Sequence, residues 1–96
     1  MPPRPAPLQL PHAAPARVLA CGAFLKNTAC LIEGGQVLMS APHGDLSDPR
    51  ACVALEASVA DLVSSASGPI DAIAHDLHPD FHSTLVAADW AQRLRV

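Results

Sequence analysis

Residues 74–83 read AHDLHPDFHS and place His75, His78 and His82, with Asp76 and Asp80, inside eight positions. Three chemistries compete for such a cluster: metal ligation, anion binding beside free helix amides, and helix capping. Proline belongs in the first turn of a helix, so Pro79 predicts a helix start there and leaves His78 outside it. That spoils the simple i, i+4 ligand pair of His78 with His82, and a third ligand has to come from elsewhere. Asp76 or His78 ahead of Pro79, with Asp80 against the positive end of the helix dipole, is ordinary helix-start chemistry. His78 can also donate to a phosphate or carboxylate at that end. The residue types order these readings as capping, then anion binding, then metal.

A second candidate is CGAFLKNTACL, residues 21–31. Gly22 lets backbone approach a ligand closely, Lys26 offers a point charge, and Asn27 and Thr28 offer side chains and amides to phosphate oxygens. The Walker pattern, with its eight-residue glycine–lysine loop before a helix, is not met. The pattern alone favours a polar turn with Lys26 solvated. A third stretch, HGDL at His43–Leu46, reads as a plain turn, although a glycine and an acid at a strand end can shape a pocket.

The elements that must position these residues are legible in the hydrophobic periodicity. RVLACGAFL is a continuous apolar run, as expected of a strand buried on both faces. Two further apolar runs flank Glu33-Gly34-Gly35, which predicts an antiparallel hairpin. Strands are thus expected over residues 17–23, 28–33 and 36–41. Asp48 followed by Pro49 predicts a helix N-cap and first position, and Leu55, Val59, Leu62, Val63 and Ala66 form one apolar face. Gly68 and Pro69 stop that helix. IDAIAHD predicts a fourth strand. A second helix follows from Pro79, with Phe81, Leu85, Ala88 and Leu94 on its apolar face, and Arg95-Val96 as the first residues of a further strand. The order is β-β-β-α-β-α, a mixed α/β sheet. In such sheets ligands bind beyond the carboxyl ends of strands, where both polar corners fall.

The chain has 96 residues, of which 50% are hydrophobic and only 3% aromatic, so its core must rest on Val, Leu, Ile and Ala. The net charge of −3 lacks the basic stripe of a nucleic-acid surface. No apolar run is long enough to predict a membrane span. The three cysteines show no CxxC or other metal spacing and read as buried, reduced thiols of a cytoplasmic protein. Residues 1–16 carry Pro2, Pro3, Pro5, Pro7, Pro11 and Pro15 and read as an ordered strap or linker outside the core or, for a chain standing alone, as a disordered tail.

The LKNTxCL turn (Leu25 to Leu31), the GDL turn (Gly44 to Leu46) and the DLHPDxxST stretch (Asp76 to Thr84) together resemble the hydrogenase maturation carbamoyltransferases of the HypF type. The spacing between the three pieces also fits. The resemblance implies a proline-rich linker over 1–16 and, over 17–96, part of a Kae1-like domain of the actin/Hsp70-like ATPase fold. It implies ATP and carbamoyl phosphate as substrates, a carbamoyl adenylate between them, and carbamoylation of the C-terminal cysteine of a HypE-type partner. Gly22, Lys26, Asn27 and Thr28 are then expected to face nucleotide phosphates, and Asp76, His78 and Asp80 to line the same cleft.

The family's histidine-rich segment and its remaining HypF-type domains are not in these 96 residues, and most Kae1-like metal ligands belong to that segment. No metal site is therefore expected in this chain, and no complete active site. The alternatives outside the enzyme class are a small non-catalytic α/β binding module or a decayed remnant.

Overall fold

The computed structural model describes residues 4–96. Its elements are β1 (Leu8–Gln9), β2 (Val18–Ala20), β3 (Cys30–Glu33), β4 (Gln36–Met39), α1 (Pro49–Ser65), β5 (Ala72–Ala74) and α2 (His82–Leu94). The strands form one sheet in the order β1-β4-β3-β2-β5. β2, β3 and β4 pair antiparallel, while β5 lies parallel to β2, with Ala20 opposite Ala74. The expected β-β-β-α-β-α order is present, preceded by one short strand. That strand comes from the proline-rich segment, whose Pro2 and Pro3 lie outside the described residues. Between Pro7 and Pro11 the chain keeps its amide donors, and Leu8 and Gln9 pair antiparallel with Val37 and Gln36. The Leu10 and Ala14 amides then donate to Gly35 O and Gly34 O, so the segment runs as a strap along the hairpin.

The hairpin turn is where the paired glycines put it, with Gly34 in the left-handed region at φ 57°. The strands are shorter than their apolar runs. β2 stops at Ala20 because Gly22 turns the backbone at φ 77°. α1 begins as expected: Pro49 is its first residue, and the Asp48 side chain accepts from the Arg50 amide at 2.9 Å.

Both helices cover one face of the sheet. Leu19 and Leu31 from the strands meet Leu55, Val59 and Leu62 of α1 and Val86 and Ala87 of α2 in a single core, with Ile73 and Trp90 against it. The other face, carrying Val18, Ala20, Ile32, Val37 and Met39, is only half-buried. The expected first strand is therefore buried on one face, at Leu19 and Cys21, and not on both, because among the described residues no second layer covers Val18 and Ala20.

Three expectations about α2 and its ends are corrected. The helix starts at His82, not at Pro79, because residues 78–81 form a turn and Phe81 is extended (φ −68°, ψ 140°). In that conformation its ring stacks between His78 and Phe24. The buried stripe is Ser83, Val86 and Ala87, with Trp90 and Leu94 packed beside it, whereas Leu85 and Ala88 are exposed. A serine inside the stripe hid it, since Ser83 and Leu85 invite opposite assignments. Arg95, expected to open a strand, instead caps α2 in the left-handed conformation (φ 60°), with its amide on Ala91 O.

One polar knot ties the sheet to the α1–β5 connection. Arg17 reaches Glu33 at 2.9 Å and Pro69 O at 2.9 Å, and the Ser67 amide donates to the same Glu33 carboxylate at 3.0 Å. The Ser67 amide, aided by Arg17 and opposed by partial burial, holds the Glu33 carboxyl below its ordinary range. A depressed folded value means that the carboxylate's contribution is full above the unfolded value, about 4.3, and is lost as pH falls through the folded one. Glu33→Gln is thus expected to cost about 1 kcal/mol at neutral pH, and its gap to the parent chain should close in acid. Urea titrations across that range check this; a gap that persists unchanged into acid refutes it.

Candidate functional site

β2 and β5 are parallel neighbours, so the segments leaving their carboxyl ends emerge side by side. The Cys21 amide donates to Ala74 O at 3.1 Å and seals the two exits together. Beyond them lies an open hollow of ≈ 290 Å³ lined by Ala20, Gly22, Ala23, Ala74, His75 and Asp76. Adjoining it is a larger apolar hollow of ≈ 580 Å³ lined by Ala23, Phe24, Leu25, Lys26, Asp76 and Phe81. Asp76 borders both. The lysine-bearing bend after β2 and the acidic corner after β5 therefore share one cleft.

Aromatic rings brace its mouth. The Phe24 and Phe81 ring centroids are 4.5 Å apart, and those of His78 and Phe81 are 4.2 Å apart, both stacked. This three-ring stack joins the bend to the corner across more than fifty residues of sequence. Within the corner, the Asp76 carboxylate accepts from the His78 amide at 3.2 Å, and His78 Nδ1 accepts from the Asp80 amide at 3.1 Å. Thr84 Oγ1 donates to Asp76 O at 3.1 Å and ties the corner to α2.

The bend is held from behind by the HGDL turn. The Asn27 amide donates to Gly44 O (2.9 Å), the His43 amide to Asn27 O (2.8 Å) and the Leu46 amide to Phe24 O (2.9 Å). Asn27 is fully buried, and its Nδ2 donates to Cys21 O at 2.9 Å and to Ala23 O at 2.7 Å. His43 closes the set, with Nδ1 2.6 Å from Asn27 Oδ1 and Nε2 2.7 Å from Ser58 Oγ on α1. Burial holds the His43 ring below its ordinary pKa. Gly22 has no substitute at this position. A Cβ on it would stand 2.3 Å from Thr28 O and 2.9 Å from Asn27 Nδ2.

The structure thus brings Gly22, Lys26 and Asp76 to the two hollows. It turns the Asn27 side chain inward, where it shapes the bend. Thr28 is half-buried behind Gly22; His78 and Asp80 are exposed and line neither hollow, though His78 stacks on the Phe81 ring that does. His78 and His82 part company, since His82 Nε2 lies 3.7 Å from Glu56 of α1. Among the described residues, no three His, Cys, Asp or Glu side chains come together as a metal site. The Cys21 thiol beside Gly22 is pushed up to about 11 by burial and the neighbouring Cys30, so it is no thiolate at neutral pH. Among the described residues, no helix is long and apolar enough to cross a membrane.

Sequence reasoning missed Phe24 and Phe81 as a brace, His75 as a wall, and the His43–Ser58 link. The sequence carried a signal for His75, which lies in the histidine–aspartate cluster, and for His43, a histidine directly before a Gly-Asp turn.

Comparisons with known proteins identify the family of the chain. The model of the HypF Kae1-like domain matches residues 13–96. A carbamoyltransferase HypF homolog of Cupriavidus necator is 59% identical over 81 residues, which are 84% of this chain and 21% of that protein. Carbamoyltransferase HypF2 of the same organism is 41% identical over 91% of the chain and 11% of its own length. The chain therefore spans about a fifth or less of these relatives. Among solved structures, HypF of T. kodakarensis superposes with a TM-score of 0.79 at 27% identity, covering 96% of this chain and 12% of that one. A full-length HypF in its phosphate- and nucleotide-bound form superposes with a TM-score of 0.67 at 29% identity, over 85% of this chain and 11% of that one. With its mixed five-stranded sheet, its two helices and the match over residues 13–96, the chain belongs to the HypF family, as a fragment of its Kae1-like domain.

Proposed function

We propose that this chain supplies the phosphate-facing corner of a cytoplasmic HypF-type carbamoyltransferase. The whole enzyme uses carbamoyl phosphate and ATP to carbamoylate the C-terminal cysteine of a HypE-type partner in [NiFe]-hydrogenase maturation. Its remaining HypF-type domains complete the active site. The single observation that carries this reading is the shared cleft: Gly22, Lys26 and Asp76 border adjoining hollows at the carboxyl ends of two parallel strands.

In this reading the residues divide the work by their chemistry. Gly22, lacking a side chain, lets phosphate oxygens come close to backbone. Lys26 is exposed at the edge of the cleft and neutralises part of the phosphate charge. Thr28 contributes a hydroxyl to the same bend, and Asn27 acts from beneath it by holding the Cys21 and Ala23 carbonyls inward. Asp76 orients the opposite wall, and His78 and Asp80, exposed in the same corner, serve as groups that bind or move a proton once a partner domain closes over them.

The test is Lys26→Ala in the full-length enzyme. Loss of one charge-assisted contact is expected to weaken ATP binding by about ten- to a hundredfold, and carbamoyl-phosphate-dependent pyrophosphate exchange with it. Unaltered ATP affinity removes the bend from the site. The isolated 96 residues are expected to show neither exchange nor tight ATP binding, and robust exchange by them alone refutes the division of the site between domains.

A further inference from the structure

Asn27 makes a demand that its neighbours answer in only one way. Its Nδ2 is committed to two carbonyl oxygens, those of Cys21 and Ala23, on either side of Gly22. A flipped amide would point its oxygen at both and is excluded by repulsion. Oδ1 therefore faces His43 Nδ1 and can only accept. It follows that Nδ1 carries a proton. Nε2 lies against the Ser58 hydroxyl, which is buried on α1 within the core-facing stripe. A neutral ring meets both needs, with Nδ1–H donating to Asn27 and Nε2 accepting from Ser58.

The connection runs in one direction through the fold. α1 is the longest element and is anchored in the core by Leu55, Val59 and Leu62. Ser58 fixes the imidazole, the imidazole fixes the Asn27 amide, and the amide clamps the two carbonyls that frame Gly22. Gly22 and Ala23 are the wall of the smaller hollow. His43 touches neither hollow, yet its two ring nitrogens link this wall, through Asn27, to a rigid helix.

We propose that His43 is a positioning residue for the phosphate-facing bend: as the neutral Nδ1–H tautomer it orients Asn27, and through Asn27 the backbone around Gly22 and the Lys26 side of the cleft. This rests on the reading of that bend as phosphate-facing for its functional meaning, though not for its structural content. Burial of the ring, which disfavours the charged form, agrees with a neutral tautomer.

The experiment is NMR on the 96-residue chain at neutral pH, with inorganic phosphate as the probe. The ring nitrogens of His43 are expected to show a protonated Nδ1 and a bare Nε2; an Nε2–H tautomer or a doubly protonated ring overturns the proposal even if every variant fails to fold. In His43→Ala, the Asn27 side-chain amide and the Asn27 backbone amide are expected to exchange about tenfold faster, relative to the core amides of Leu19 and Leu31. His43→Asn places an amide nitrogen near the Nδ1 position and should recover most of that protection, whereas His43→Gln, which mimics Nε2, should not. Exchange that rises equally at bend and core, or equal recovery by Asn and Gln, makes His43 a packing residue only and overturns the proposal. Phosphate separates the two layers. Millimolar phosphate that shifts Gly22 and Lys26 in the parent chain, with affinity several-fold weaker in His43→Ala, supports both. Equal affinity in the two sinks the positioning role and leaves the phosphate reading standing. Accelerated exchange with the expected tautomer, but no phosphate response in the parent chain, supports the positioning of the bend and sinks the phosphate reading.

Discussion

Replacing Gly22 with alanine is expected to destabilise the chain by about 3 kcal/mol and to deform the bend. Two costs add. The backbone at φ 77° lies where an L side chain is strained by about 1–2 kcal/mol. The new Cβ also meets Thr28 O at 2.3 Å, a backbone atom that moves only if the next strand moves with it. Gly44 provides the control. It has the same kind of dihedral, φ 85°, but open space around its Cβ position. Gly44→Ala should therefore show the strain without the clash, about 1–2 kcal/mol. Urea unfolding of the two variants checks the difference. Equal losses would mean that the contact between Gly22 and the Thr28 carbonyl does not constrain the bend. Because a domain of this size is stable by only about 5–15 kcal/mol, the Gly22 loss is a large fraction of the whole.

Asn27→Ala is expected to have a comparable effect, about 3 kcal/mol, by a different route. The substitution leaves Cys21 O, Ala23 O and His43 Nδ1 without the amide that satisfied all three. Polar groups that lose their partners, Cys21 O buried and the other two partly so, each cost about 1 kcal/mol. The packing loss is secondary, since few carbons are removed. A stability change near 0.5 kcal/mol, measured by denaturant titration with an unchanged m-value, would show that water replaces the amide and that Asn27 does not clamp the bend. The two substitutions should also fail to add. Gly22 and Asn27 meet at 2.9 Å once a Cβ is present, so a double variant is expected to lose less than the sum of the singles.

Residue types made part of the candidate site legible only as candidates. Gly22, Lys26 and Asp76 could be named from them, because a glycine at a strand end, a lysine in a turn and an acid after an apolar run carry their chemistry locally. The types by themselves favoured a solvated turn and a helix cap, and only the resemblance pointed to phosphate. Asn27 looked outward on the same grounds and is in fact turned inward, because the deciding partners are two carbonyls of the bend itself and an imidazole sixteen residues away. Ser83 and Ser58 have no place in the apolar faces read from the sequence, although both are buried, since a polar residue inside an apolar stripe interrupts the very pattern used to find it.

Local periodicity and turn chemistry were sufficient to give the β-β-β-α-β-α order, the Gly34-Gly35 hairpin and the Asp48–Pro49 helix start. Each depends on residues within one turn or one strand pair, so the information is contiguous in the chain. The start of α2 at His82, the choice of its buried face and the closing of two remote corners over one cleft were decided only by the tertiary structure. Each depends on a contact between distant segments: Phe81 leaves the helix because its ring stacks on Phe24. The Phe81 contact spans more than fifty residues, and such a pairing leaves no periodic trace along the sequence.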